Sequence, residues 1–127
     1  GDVVFFGDEG ASYGQGLLVY YNGSDWVRTD YNDGTSMGTS LLGIALGSSP
    51  SDGVLIRGFY SLNTSTPLPN FNVGNALYMT VDGEFGPTAP ASDGQISRII
   101  GHFVSVDGEP TPKIYFNPSP DWIEIEV

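Results

Sequence analysis

The sequence predicts an all-β fold, and three observations carry that reading. No window of roughly eleven or more residues free of Gly and Pro places apolar side chains at the three-and-four spacing of a helix. Short runs rich in β-branched and aromatic residues are instead cut apart by turn residues, in a chain with 18 glycines and nine prolines. Several of those turns are chemically specific: Asn22-Gly23 and Asp82-Gly83 pair residues that tolerate the positive φ a tight hairpin requires.

In chain order, strands are expected at Asp2–Phe6, Leu17–Tyr21, Asp25–Thr29, Leu41–Leu46, Val54–Leu62, Ala76–Val81, Gln95–Val106, Lys113–Phe116 and Trp122–Val127. Asn22-Gly23 joins the second and third of these as a hairpin, and Asp82-Gly83 reverses the chain after Ala76–Val81. Asp33-Gly34, Asp52-Gly53, Asp93-Gly94 and Asp107-Gly108 mark further reversals. Within Val54–Leu62, alternation assigns Val54, Ile56, Tyr60 and Leu62 to one face and Leu55, Arg57, Phe59 and Ser61 to the other. Gly58 and Gly101 interrupt two long strands, which are expected to bend there. The final strand places Ile123, Ile125 and Val127 on one face and Trp122, Glu124 and Glu126 on the other, and it should be tied down in a sheet.

A weak internal repeat organises these elements into halves of about 1–62 and 74–127. In each, a hairpin is followed by a polar loop, a strand with an early glycine (Leu41–Leu46, then Ile99–Val104) and a last strand. Residues Asn63–Val73, with Pro67 and Pro69, form the crossover. Two such units can pair into a small antiparallel barrel or a two-sheet sandwich, either of which limits exposed edges. The 127 residues suit a single domain with its own core. The opening Gly-Asp-Val-Val lacks an initiator Met, so the chain reads as processed or as the C-terminal module of a longer one.

Charge narrows the function. Fifteen acidic residues against four basic ones give a formal net charge of −11. The cations Arg28, Arg57, Arg98 and Lys113 are scattered, whereas phosphate contacts need them clustered, so a nucleic-acid partner is not expected. No apolar run approaches the roughly 20 residues of a membrane helix, and insertion in a membrane is not expected. With no cysteine, disulfides, thiol nucleophiles and thiolate metal sites are excluded.

The residues that carry chemistry favour no enzyme. His102, the sole histidine, lies in a predicted strand with no nucleophile elbow beside it, and reads as a structural or surface residue. A glycosidase would need two placed carboxylates. Here Asp25, Asp33, Asp52, Asp82, Asp93 and Asp107 fall in turns, where Asp bonds locally, and Glu124 and Glu126 face solvent. Thr29-Asp-Tyr-Asn-Asp-Gly34 and Asp8-Glu9 concentrate oxygen ligands, but the first is too short for a twelve-residue calcium loop and lacks its closing Glu. Turn chemistry explains both better, and no metal or other cofactor is expected. The glycines are dispersed, with no phosphate-cradling motif. Tyr20, Tyr21, Trp26 and Tyr31 gather around the first hairpin, where they either pack as core or offer faces to a sugar. Asn22-Gly-Ser24 and Asn63-Thr-Ser65 match the glycosylation acceptor pattern but imply little without a secretory context.

One resemblance extends this reading. The succession Gly16-Leu-Leu-Val-Tyr-Tyr-Asn-Gly-Ser-Asp-Trp-Val27, Leu42-Gly-Ile-Ala-Leu-Gly47, Gly53-Val-Leu-Ile-Arg-Gly-Phe59, Gly74-Asn-Ala-Leu-Tyr78, Thr88-Ala-Pro90 and Ile99-Ile-Gly101 resembles small capsid decoration (cement) proteins of tailed bacteriophages. It is similar also to related domains of phage fibre and other virion proteins. The close, Ile114-Tyr-Phe-Asn-Pro118 with Asp121-Trp-Ile-Glu124, resembles the end of such domains in marine phage structural proteins. The resemblance implies a compact β-domain on a virion, often a homotrimer, with no catalytic residue. The expected function is therefore a non-enzymatic structural module that decorates or stabilises a capsid or forms part of a fibre. Its expected partners are further copies of itself and the major capsid protein or other virion proteins. The contact residues expected are Tyr20, Trp26, Tyr31, Phe59, Phe71 and Trp122. The alternative is an adhesin or carbohydrate-binding module at a fibre tip, with Tyr20, Tyr21, Trp26 and Tyr31 stacking on a host-surface glycan. A glycan hydrolase built on the acids is a weaker third reading.

Overall fold

Alternating apolar residues and positive-φ turns build a succession of short β-strands in the computed structural model, which describes residues 1–10, 13–32, 39–62, 72–105 and 112–127. Among them the chain forms β1 (Asp2–Val4), β2 (Asp8–Glu9), β3 (Leu18–Tyr21), β4 (Asp25–Arg28), β5 (Leu42–Ala45), β6 (Val54–Ser61), β7 (Ala76–Met79), β8 (Phe85–Gly86), β9 (Ile96–Ser97), β10 (Ile99–Phe103), β11 (Lys113–Phe116) and β12 (Ile123–Glu124). No α-helix occurs among the described residues, and a 3-10 turn spans Pro50–Asp52. The fold is all-β. The expected reversals at Asp33-Gly34 and Asp107-Gly108, the Asn63-Thr-Ser65 acceptor and most of the expected crossover lie outside the described residues.

A single ladder runs β2-β4-β3-β5-β6-β11-β10-β7-β8, with β1 added along β6; β9 and β12 pair separately. The pairings are antiparallel except β2 with β4. The order has the same connectivity on both sides of its centre. In β4-β3-β5-β6 and in β8-β7-β10-β11 alike, a hairpin is followed by two strands, and the halves meet as β6 against β11. The ladder does not close into a barrel. β8 is two residues long and runs into Pro87, which has no N–H to continue a ladder. Backbone hydrogen bonds instead tie the halves together: Leu18 N–H to the Gly83 carbonyl and Gly83 N–H to Thr29, both 2.8 Å, and Tyr31 N–H to Thr80 at 2.9 Å. The halves share one core of Leu18, Tyr20, Leu42, Ile44, Leu55, Leu77, Met79, Ile100, Phe103, Ile114 and Phe116.

The two hairpins show different turn chemistry. At Val81–Glu84 both central residues, Asp82 (φ 53°) and Gly83 (φ 78°), are left-handed, and Glu84 N–H donates to the Val81 carbonyl at 2.9 Å. This is the geometry expected of Asp-Gly. The first turn centres one residue later than expected, on Gly23-Ser24. Only Gly23 has positive φ, and the Asn22 side-chain oxygen accepts from Ser24 N–H at 2.9 Å and Asp25 N–H at 2.7 Å. Asn22 thus braces the turn from outside it.

Two glycines reverse the facing of side chains. Beyond Gly58 (φ 140°) β6 changes parity. Leu55 belongs to the shared core and Tyr60 and Leu62 pack against it, while Val54 and Ile56 belong to a second cluster with Val19 and Trp26. The expected grouping of Val54 and Ile56 with Tyr60 and Leu62 is therefore corrected. Near Gly101 the β7–β10 register shifts, and Ile100 and Phe103, three apart, both turn inward.

The expected strand Gln95–Val106 is two strands, broken at Arg98. That residue is buried, donating from Nε to the Ser119 carbonyl at 2.7 Å and from Nη1 to the Ser40 carbonyl at 2.8 Å. β9 leaves to join β12, while β10 continues between β7 and β11. Among the described residues the last strand pairs with no strand but β9, and its apolar face is not core: Ile123 is 61% and Val127 92% exposed.

Candidate interaction surface

The side chains proposed for sugar stacking do not form one platform. Tyr20 and Tyr21 are consecutive in β3 and therefore point to opposite faces. Tyr20 is buried in the shared core, and half-buried Tyr31 packs against it. Trp26 is fully buried in the second cluster, beneath Phe6 and half-buried Tyr21, with ring centroids 5.6 and 5.3 Å away. Its Nε1–H donates to the Phe6 carbonyl at 2.9 Å. Tyr20 and Trp26 thus serve as core, a correction to their expected role as contact residues. Phe71 lies outside the described residues. Phe59 (69%) and Trp122 (44%) are exposed, on different parts of the molecule.

Phe59 belongs to an outward row that β6, β11, β10 and β7 place side by side: Phe59 opposite Tyr115, Tyr115 opposite His102, and His102 opposite Ala76. The Phe59 and Tyr115 rings lie 5.1 Å apart. Beside them a groove of about 410 Å³ is lined by Phe59, Ser61, Val104 and Lys113. Tyr115 went unassigned in the sequence, although alternation in Lys113–Phe116 already opposes it to Ile114 and Phe116. Further along this sheet, Tyr78 and Ile99 line a second groove of about 380 Å³ with Trp122 and Ile123.

The outer faces of the two halves differ in one respect. In the first half, Val19, Trp26 and Val54 are covered by Val4, Tyr13, Leu17, Tyr21 and Ile56, so that sheet is buried on both sides. In the second half, the outward His102 and Ile99 remain exposed, as does Phe59 at the far end of β6, where that strand pairs with β11.

The polar groups are engaged in structure. Asp52 accepts from Ser49 N–H at 3.2 Å, Asp30 from Asn32 N–H at 2.9 Å and Asp93 from Val127 N–H at 3.1 Å. Asp2 pairs with Arg57 at 2.8 Å, an exposed bridge of small energetic weight. In the Thr29–Gly34 stretch, Thr29 Oγ1 donates to the Leu18 carbonyl at 3.2 Å and is buried. No three His, Asp or Glu side chains converge among the described residues.

Tyr13 is an exception, because its hydroxyl is buried with no hydrogen-bond partner among the described residues. Burial first, and then Asp52 and Glu9, raise its pKa above the ordinary 10.0. Tyr13→Phe should therefore leave stability unchanged or raise it by about 1 kcal/mol, since an unsatisfied group is removed. A raised folded pKa means that the neutral form's contribution is whole below the unfolded value and is lost as pH rises through the folded one. Above pH 10.0, wild type should lose stability more steeply than Tyr13→Phe in urea titrations; a variant clearly weaker at neutral pH would contradict this.

Compared with protein-family models, known proteins and solved structures, the chain finds no match.

Proposed function

We propose that this chain is a non-enzymatic structural module of a bacteriophage particle, which decorates or stabilises the assembly by docking through the outer face of β6, β11 and β10. The uncovered outer face where β6 meets β11 and β10 carries this reading. The two halves have the same strand connectivity, yet among the described residues the apolar cover over Val19, Trp26 and Val54 has no counterpart over Phe59 and its row. Burying a side chain such as Phe59 contributes about 1.5–3 kcal/mol. A partner that binds only the assembled form shifts assembly by mass action, and no catalytic group is needed for that work. The resemblance to decoration proteins agrees in kind, and it makes a homotrimer the expected state. The sugar-binding alternative loses its footing where Tyr20 and Trp26 enter the core.

Light scattering coupled to size exclusion should give a trimer. Phe59→Asp should weaken its assembly by about tenfold or more, because a carboxylate would be stranded in the contact. Purified particles of the encoding phage should carry the chain in fixed ratio to their major capsid protein. A monomer at every concentration would remove self-association, and absence of the chain from the particles would end the virion reading.

A further inference from the structure

β12 presents apolar side chains, an unpaired backbone edge and negative charge together. Ile123, Val127 and Trp122 are exposed, although they are the kind of side chain a sheet normally buries. The backbone of Ile125 is turned toward β9, donating to the Gln95 carbonyl and accepting from Gly94 N–H, both at 2.8 Å. Backbone direction alternates along a strand, so the N–H and C=O groups of Glu124 and Glu126 point away from β9. Among the described residues, β12 pairs with no strand but β9. An edge of this kind is a template for an added strand.

Charge selects the occupant. A second copy paired antiparallel along this edge would bring Glu124 and Glu126 against their own equivalents, and like charges opposite one another are destabilising. None of the chain's own cations lies on a segment free to add as a strand: Arg57 is paired with Asp2, Arg98 is buried against two carbonyls, and Arg28 and Lys113 belong to β4 and β11, each already flanked by strands on both sides. Asp121, Glu124 and Glu126 therefore call for a foreign cationic chain, in a protein whose net charge is −11.

We propose that β12 captures an extended segment of a partner protein, added as a strand along the Glu124–Glu126 edge, in which basic residues alternate with apolar ones. The partner's Lys or Arg side chains face Glu124 and Glu126, and its apolar side chains continue the surface of Ile123, Ile125 and Val127. Main-chain hydrogen bonds supply affinity, and the alternation supplies register. Ile123 and Trp122 share a groove with Ile99 of the outer sheet face, but the added strand uses the Glu124–Glu126 edge, and substitutions there and at Phe59 test the two proposals independently.

A ten-residue peptide of alternating Lys and Val, titrated by calorimetry and by tryptophan fluorescence, tests it. Exposed Trp122 reports occupancy, while buried Trp26 supplies a constant background. The alternating peptide should bind at least about tenfold more tightly than one with the same residues in a Lys block and a Val block. Binding should weaken with salt, and by about tenfold or more in the double variant Glu124→Lys/Glu126→Lys. Glu124→Pro deletes an outward N–H while leaving the bonds to β9, and it should abolish the preference for alternation. If that variant loses its fold by circular dichroism, Glu126→Pro, at the next outward position, carries the same test. Equal affinity for both peptides, a proline variant that binds like wild type, or no binding up to about 1 mM would each overturn the proposal.

Discussion

Replacing Trp26 with alanine should lower the unfolding free energy by about 3–5 kcal/mol, the range for emptying a buried aromatic site. The indole is fully buried where β4 passes under the N-terminal segment. A glycine opens its slot: a Cβ on Gly7 would stand 2.9 Å from the indole nitrogen and 3.0 Å from Cδ1. Truncation would leave a void bounded by backbone, which collapses poorly, and would strip the Phe6 carbonyl of its donor. Trp26→Phe keeps most of the volume and should cost less. Trp122→Ala, at a side chain 44% exposed, should change stability by no more than about 1 kcal/mol. Urea unfolding of the three variants separates these outcomes. Equal losses at Trp26 and Trp122 would mean that the N-terminal segment does not seal the first half's outer face.

That contrast also shows what the sequence can and cannot reveal. Local chemistry is legible: Asp82-Gly83 names its turn, and Lys113–Phe116 alternates over a ladder that is present. Faces become illegible where one glycine shifts the parity. Gly58 is visible as an interruption, but whether it bends a strand or rotates its side chains depends on β11 and β1, which pair from distant parts of the chain. The same limit explains the aromatics around the first hairpin. Consecutive Tyr20 and Tyr21 announce opposite faces, but not that both faces of that half are covered. Val4, Tyr13 and Leu17 supply much of the cover for the second of these faces, and the parallel β2–β4 contact leaves no periodic signal in two residues. In the sequence Arg98 reads as a strand residue because its β-rich flanks are continuous. The break is set by carbonyls 21 and 58 positions away, at Ser119 and Ser40. The Phe59 row has half its signal in alternation; the other half, that none of the described residues covers it, is set by tertiary packing.

Gly101→Ala should cost about 3 kcal/mol or more, although it adds a single methyl group. A Cβ there would run into the Tyr115 carbonyl oxygen and stand 3.1 Å from the Phe116 Cα. Both obstacles are backbone of the neighbouring strand, so no rotamer change relieves the overlap, and β10 would have to move away from β11. Gly94→Ala separates this cause from conformational strain. Gly94 sits at φ 83° with open space where its Cβ would go, so only the left-handed penalty of about 1–2 kcal/mol applies. Chemical denaturation should therefore rank Gly101→Ala well below Gly94→Ala, with the m-value unchanged if the unfolded state is unaffected. Hydrogen exchange should speed up first along β10 and β11, where the ladder is forced apart. Equal losses would refute the close approach of the two strands. Because Gly101 directly precedes His102, and Tyr115 lies between His102 and Phe59, a displaced β10 would also tilt the outward row. If that row seats the module on its assembly, Gly101→Ala should weaken association even at temperatures where the variant remains folded.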